Sequence, residues 1–193
     1  PEGVTSDPDF YEPYPVGAAG IDHLRSYSEQ FTGEAVIATN PEYVWGRKSQ
    51  TLVDNTRMSF PISFGGWRGM ALTQKIVDSY SMYDGRSIDN SSEAYPYSES
   101  GFTNEQKSFS GYRLNAGVYN MYDNREMRFY ACVGFSERFW PMSSTTMSGK
   151  YNQTVTYYYD SPNGKQNSAT DYSPTGYVIV KYIHPNDAWD GDN

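Results

Sequence analysis

At 193 residues the chain has the length of one domain, for which about 150 residues is typical, and it can bury a real core. A formal net charge of -8 with no cluster of Lys and Arg excludes a nucleic-acid partner, which needs a basic surface to displace counterions. Apolar residues make up only 37% and the mean hydropathy is -0.73, while Tyr alone contributes 19 residues, so aromatic rings must supply much of the buried area.

Residues 1–19 carry Pro1, Pro8, Pro13 and Pro15 with Tyr11 and Tyr14 and show no period, which predicts an extended, linker-like segment. Ile21, Leu24 and Phe31 predict an amphipathic helix over 21–31, stopped at Gly33. Ala35-Val36-Ile37, a break at Thr39-Asn40-Pro41 and Tyr43-Val44-Trp45 predict a short apolar segment and then a strand carrying Trp45 and Arg47. From Ser49 to Arg68 no period persists, and loop is expected. The clearest helix starts at Thr73, whose hydroxyl suits an N-cap. Ile76, Val77 and Tyr80 follow on one face, and Gly85 supplies the stop. Upstream of it, Gly65, Gly66 and Gly69 flank Trp67 and Arg68, a backbone able to hold a flat ring and a guanidinium at the surface.

Residues 89–111 are rich in Ser, Asn and Glu around Tyr95-Pro96-Tyr97 and predict a surface excursion. Val118–Tyr122 predicts one helical turn. Phe129, Ala131, Val133 and Phe135 alternate, which predicts a strand over 129–135; two more strands are expected at 154–159 and 176–183, with a turn at Ser161-Pro162-Asn163-Gly164. Residues 184–193 form an acidic tail. The whole is α+β and loop-rich, with short strands and a few short helices. Long connections of this kind imply that the chain rests on a scaffold it does not itself contain.

Little in the sequence carries catalysis. Neither His23 nor His184 has a partner at metal-ligand spacing, and Asp187, Asp190 and Asp192 lack the pattern of a calcium loop, so no metal and no cofactor is expected. G-x-S-x-G is absent. Cys132, the single cysteine, cannot form an intrachain disulfide and lies between Ala131 and Val133, as an inert buried thiol would. Two acids distant in the chain could still meet as glycosidase carboxylates, but no pair is singled out. Asn90-Ser91-Ser92 and Asn152-Gln153-Thr154 match a glycosylation acceptor that matters only in a eukaryotic source. No apolar run approaches the roughly 20 residues that span a bilayer, and Pro1-Glu2-Gly3-Val4 does not open a signal peptide. Either the chain is cytoplasmic or a targeting segment precedes it; the missing initiator Met favours the second.

The positive signal is aromatic: Trp45, Trp67, Trp140 and Trp189, Tyr95 and Tyr97, and the run Tyr157-Tyr158-Tyr159. Sugar rings pack their C–H faces on flat aromatic surfaces, while Arg, Asn and Asp take the hydroxyls. The same rings can also be core filler, the reading preferred for Trp45 and balanced for Trp67.

Asn40-Pro41-Glu42-Tyr43-Val44-Trp45, Thr73–Tyr80 with Asp84-Gly85, Asn124-Arg125-Glu126-Met127-Arg128-Phe129-Tyr130-Ala131, and Thr175-Gly176-Tyr177 with Lys181-Tyr182 occur in that order. In this the chain resembles the SusD/RagB family of Bacteroidetes outer-membrane nutrient-binding lipoproteins. The resemblance covers Asn40 to Ile183 and implies the non-repeat middle of such a protein, without the tetratricopeptide-like helical scaffold and with the lipid-anchor cysteine outside this chain. Residues 20–183 would then be the SusD-like core segment. It further implies a non-catalytic, cell-surface protein at the outer membrane that binds an oligosaccharide or polysaccharide and sits over a SusC-like TonB-dependent transporter. The family's site is an arc of aromatics on loops, which favours Trp67 with Arg68, followed by Tyr95, Tyr97 and Trp140. Two other roles stay open: a docking segment for the transporter with no sugar site, and a glycoside hydrolase. Arg125 and Arg128 are expected to brace the start of the strand at Phe129 by pairing with carboxylates or carbonyls. Met127 stands where the family has proline, which implies a looser turn.

Overall fold

The structure is a computed structural model that describes residues 23–32, 40, 42–45, 52–67, 70–109, 112–140 and 153–184. The extended segment 1–19, Ala35-Val36-Ile37, Gly33, Arg47, Arg68, Asn152, Trp189 and the acidic tail with Asp187, Asp190 and Asp192 lie outside the described residues. Within them the fold is α+β and loop-rich, as the composition predicts. Helix α1 spans His23–Thr32, α2 Leu52–Ser59, α3 Gln74–Asp78 and α4 Met127–Cys132. Strands β1 (Lys107–Phe109) and β2 (Tyr112–Leu114), β3 (Val133–Gly134) and β6 (Val178–Ile179), and β4 (Arg138–Trp140) and β5 (Gln153–Val155) pair antiparallel as three two-stranded sheets. Single 3-10 turns at Ile62–Phe64, Ile88–Asn90 and Asn120–Tyr122 punctuate the connections.

Rings build the core. One cluster gathers Tyr112, Tyr122, Phe129, Tyr130, Phe135 and Tyr177 with aliphatic neighbours, and in it the Tyr122 and Phe135 rings stack at 4.4 Å. A second holds Phe60, Phe64, Trp140, Val155, Val178, Val180 and Ile183. The β3–β6 pair joins them, because Val133 belongs to the first and its strand partner carries Val178 of the second. Helix α1 packs on α4, burying Leu24 and the ion pair of Arg25 with Glu29 at 2.9 Å, one helical turn apart. Cys132 is buried, with its sulfur 3.6 Å from the Tyr27 hydroxyl.

Several expectations change. Residues 129–132 are helical: Phe129, Tyr130 and Cys132 bury together at helical spacing, and the strand is confined to Val133–Gly134. The apparent alternation arose because apolar residues occupy every position of this stretch, so two periods fit it. Ser49–Arg68 is not loop throughout, since it contains α2 and a 3-10 turn that end on Phe60 and Phe64, both buried. Pro61 ends α2 by forcing extended backbone around it. Tyr43-Val44-Trp45 is not a strand; Val44 is 96% and Trp45 80% exposed, after a turn in which Asn40 caps the Glu42 and Tyr43 amides. The strands foreseen at 154–159 and 176–183 shrink to β5 and β6.

The helix at Thr73 is present but short. Thr73 caps through its backbone carbonyl, which accepts from the Ile76 and Val77 amides, and not through its hydroxyl. Val77 is fully buried while Ile76 is exposed, so the apolar face is narrower than its spacing implies. The helix stops at Asp78, and Gly85, at φ 83°, instead shapes the following turn, whose Gly85 amide donates to the Met82 carbonyl.

Five residues of helix leave most backbone groups unpaired at the ends. Arg125 meets that need. Fully buried, it donates to the carbonyls of Val77 and Tyr80, each at 2.8 Å, and of Met121 at 3.1 Å, and its guanidinium lies 4.8 Å from the centre of the Phe129 ring. Burial pushes its pKa below the usual arginine value, yet three carbonyls and a ring face hold the cation in place. Arg128 pairs with Glu126 at 2.5 Å, and Glu126 accepts the Ser81 amide while its own amide returns to the Ser81 carbonyl. Both arginines therefore have the carbonyl and carboxylate partners expected of them, but what they brace is the end of α3 and the start of α4 and not a strand. Met127 is the first residue of α4, where a proline's missing N–H costs nothing, and the paired bonds with Ser81 close the turn that was expected to be looser.

Two predictions follow from this packing. Arg125→Lys keeps the charge but not the fork, and should lower unfolding free energy by about 3 kcal/mol in urea denaturation, since buried carbonyls lose their donors. Burial pushes the Tyr97 hydroxyl up to about 12, and raises Tyr80, Tyr122, Tyr130 and Tyr157 further, all chiefly by desolvation. The unfolded chain therefore releases these protons first. Stability is fully present below pH ~10 and should fall steadily above it, with the urea midpoint dropping as tyrosinate absorbance rises.

Candidate functional site

Trp67 sits on a short connection whose backbone is held at both ends. The Trp67 amide donates to the Arg57 carbonyl at 2.9 Å, and the Met70 amide to the Met58 carbonyl at 2.8 Å, so the connection runs alongside the end of α2. Before it, Gly65 adopts φ 85° as the C-cap of the 3-10 turn, and the Gly66 amide donates to the Pro61 carbonyl. Gly66 lies so close to the Phe60 carbonyl that any Cβ there would collide with it, which is why a glycine precedes the ring.

The ring is 43% exposed. Its other environment is a cation: the Arg57 guanidinium carbon lies 4.0 Å from the ring centre, which fixes the indole against α2 and covers one of its faces. An exposed indole backed by a guanidinium is a flat apolar platform with hydrogen-bond donors beside it. Such a surface has the chemistry to stack the C–H face of a sugar ring.

Tyr95 and Tyr97 lie on the connection between the 3-10 turn Ile88–Asn90 and β1. The Tyr95 amide is taken by the Ser92 hydroxyl and the Tyr97 amide by the Ser91 hydroxyl, so both serines serve as local turn caps. Both rings are half-buried. Tyr95 packs on Tyr83 with centres 5.0 Å apart, whereas Tyr97 donates its hydroxyl to Glu99 at 3.2 Å and lies 5.7 Å from the Arg125 guanidinium. Tyr97 thus leans toward the arginine that braces α3, and Tyr95 toward the turn that follows it.

Trp140 is placed differently from the others. It is only 2% exposed, and Phe60 and Phe64 meet its ring at 5.8 and 6.0 Å, so its surface is spent in the second core cluster. The expectation that it faces a ligand is corrected by that packing. Trp45, expected to be core, is exposed, and so are Tyr158 and Tyr159 on the turn leading to Ser161. The structure therefore groups Tyr95 and Tyr97 on one connection and holds Trp67 on another.

Two residues missed by sequence reasoning stand beside these rings. Arg57 lies in a stretch whose sequence predicts loop; its place in the last turn of a helix that ends before Pro61 is visible only once α2 is known. Tyr83 precedes Asp84-Gly85, and the Asp-Gly pair, a strong turn signal, marked where an exposed ring would stand. Among the described residues no three His, Cys, Asp or Glu side chains come together as metal ligands, and no helix is long and apolar enough to cross a membrane.

A family model described as the SusD family matches residues 41–193, which takes in both connections, Arg125 and every described strand. No curated protein and no solved structure matches the chain significantly. The ordered motifs from Asn40 to Tyr182 and a match over most of its length lead to one conclusion: this chain belongs to the SusD family.

Proposed function

We propose that this chain captures an oligosaccharide or polysaccharide for uptake through a SusC-like TonB-dependent transporter at the outer-membrane surface, without cleaving it. The SusD family as a whole is one of glycan-binding, nutrient-uptake lipoproteins of the outer membrane. The observation that carries the reading in this chain is Trp67, an exposed indole backed by Arg57 on a connection pinned to α2. Pinning matters because a ring already held in its binding position loses little freedom when a sugar stacks on it. Arg68, next in the chain, is proposed to serve hydroxyls beside the ring, and Tyr95 and Tyr97 to extend the aromatic surface.

Isothermal titration against a glycan panel tests this. Trp67→Ala should weaken a glycan that the parent binds by about tenfold, corresponding to ~1.4 kcal/mol, while leaving the unfolding midpoint nearly unchanged. Unchanged affinity would remove Trp67 from the site. Gly66→Ala retains the indole but must push the connection off the Phe60 carbonyl, so it should lose both affinity and stability, the latter by about 2 kcal/mol. Release of reducing sugar from any bound glycan would overturn the non-catalytic reading.

The exposed run Tyr43-Val44-Trp45 favours a second reading, in which the chain chiefly docks on the transporter. Pull-down with the SusC-like partner separates the two: loss of capture in Trp45→Ser, with glycan binding intact, would assign that run to docking.

A further inference from the structure

The turn at Ser161-Pro162-Asn163-Gly164 holds the one Asn-Gly pair in the chain, and the function proposed above makes no use of it. Asn163 is nevertheless buried, and both ends of its carboxamide are committed. Its Oδ1 accepts the amide of Ser63, 100 positions away, at 2.9 Å, and its Nδ2 donates to the Thr156 carbonyl at 3.1 Å. Ser63 lies in the 3-10 turn Ile62–Phe64, which runs directly into Gly65, Gly66 and Trp67. One side chain therefore ties the segment after β5 to the turn from which the Trp67 connection starts.

Around that side chain the segment is tightly closed. The Gly164 amide donates to the Ser161 carbonyl at 2.9 Å, and the Ser161 hydroxyl reaches the carbonyls of Thr156 and Tyr158 at 3.0 and 2.8 Å. Gly164 is itself buried, so near the backbone of Tyr158 and Tyr159 that a Cβ there would collide with both carbonyls.

An Asn followed by Gly is chemically labile, because a glycine without Cβ lets its backbone nitrogen reach the preceding carboxamide. That nitrogen attacks Cγ, a C–N bond forms, the bond from Cγ to Nδ2 breaks, and ammonia leaves carrying the amide proton. Water then opens the resulting succinimide at either carbonyl, giving Asp or isoaspartate. In the folded chain the groups that must come free, the Gly164 N–H and both ends of the Asn163 carboxamide, are each hydrogen-bonded.

We infer that Asn163-Gly164 is a deamidation site that the fold holds shut, and that its conversion unpins the turn leading to Trp67. Either product is a carboxylate, which sets an oxygen against the Thr156 carbonyl where an N–H stood. Isoaspartate also adds a methylene to the main chain directly before a glycine already pressed against two carbonyls. The inference is independent of the glycan reading.

Peptide mapping by mass spectrometry tests it, on the full chain aged at mildly alkaline pH with and without guanidinium chloride. In denaturant Asn163 should convert faster than every other asparagine, and in buffer about tenfold more slowly than in denaturant, since reaction waits on opening. Ser161→Ala removes two of the bonds that close the segment and should speed conversion in buffer about three- to tenfold, leaving the rate in denaturant unchanged. The aged fraction, separable by anion exchange through its added carboxylate, should exchange the amides of residues 63–67 with solvent faster than the fresh chain, and Asn163→Asp should lower the urea midpoint. Equal rates in buffer and denaturant overturn the protection, as does a Ser161→Ala chain that ages like the parent. Parent-like exchange over 63–67 in the aged fraction overturns the unpinning, and so does a parent-like urea midpoint in Asn163→Asp.

Discussion

A single buried guanidinium organises the described part of this protein. Arg125 reaches back to the carbonyl of Val77 in α3 and of Tyr80 just after it, and also to nearby Met121, and in doing so joins two segments that are far apart in the chain. A helix of five residues is too short to persist through its own hydrogen bonds, because its ends outnumber its interior. Its stability is borrowed from a side chain that arrives from another element. The cation lacks a carboxylate partner within ion-pair distance among the described residues; aligned carbonyls at the helix end and the faces of Phe129 and Tyr97 do that work. Such a bond set is directional, so it fixes where α3 ends and therefore where the turn carrying Tyr83 begins.

Tyrosine has a particular role in this frame. Aliphatic side chains are scarce, and the first core cluster is built from rings whose hydroxyls must also be satisfied. Tyr130 donates to the Tyr122 carbonyl, Tyr122 to the Tyr177 hydroxyl, and Tyr177 to Gln74 at the start of α3. The core is thus threaded by polar bonds that specify one arrangement, in place of a purely apolar contact that would tolerate sliding. The connections can be long because their anchors are specific.

How far the sequence revealed this depended on whether a feature was local. The helix after Thr73 and the helical turn at Asn120–Tyr122 were legible, since each is written within a few residues. Helix α4 is not legible because Phe129–Phe135 is apolar at nearly every position, and α2 because Leu52–Ser59 carries no persistent apolar period in the sequence. Trp45 and Trp140 exchanged places relative to expectation. No local signal separates a buried from an exposed Trp; Phe60 and Phe64, far upstream, decided the fate of Trp140. At the candidate site the flanking glycines left Trp67 balanced between core and surface, and the structure leaves it 43% exposed, whereas Arg57 could be found only in three dimensions.

Arg57 also limits how Trp67 can be used. On the proposed reading, the guanidinium on one side makes the indole a shelf and not a clamp among the described residues, and a sugar chain would rest on the face that the cation leaves. Departure then requires no side chain to move aside, and a bound chain can slide off along the surface in small steps. On the proposed reading, such a shelf suits a protein whose task is to pass its cargo onward, where rapid release matters as much as capture.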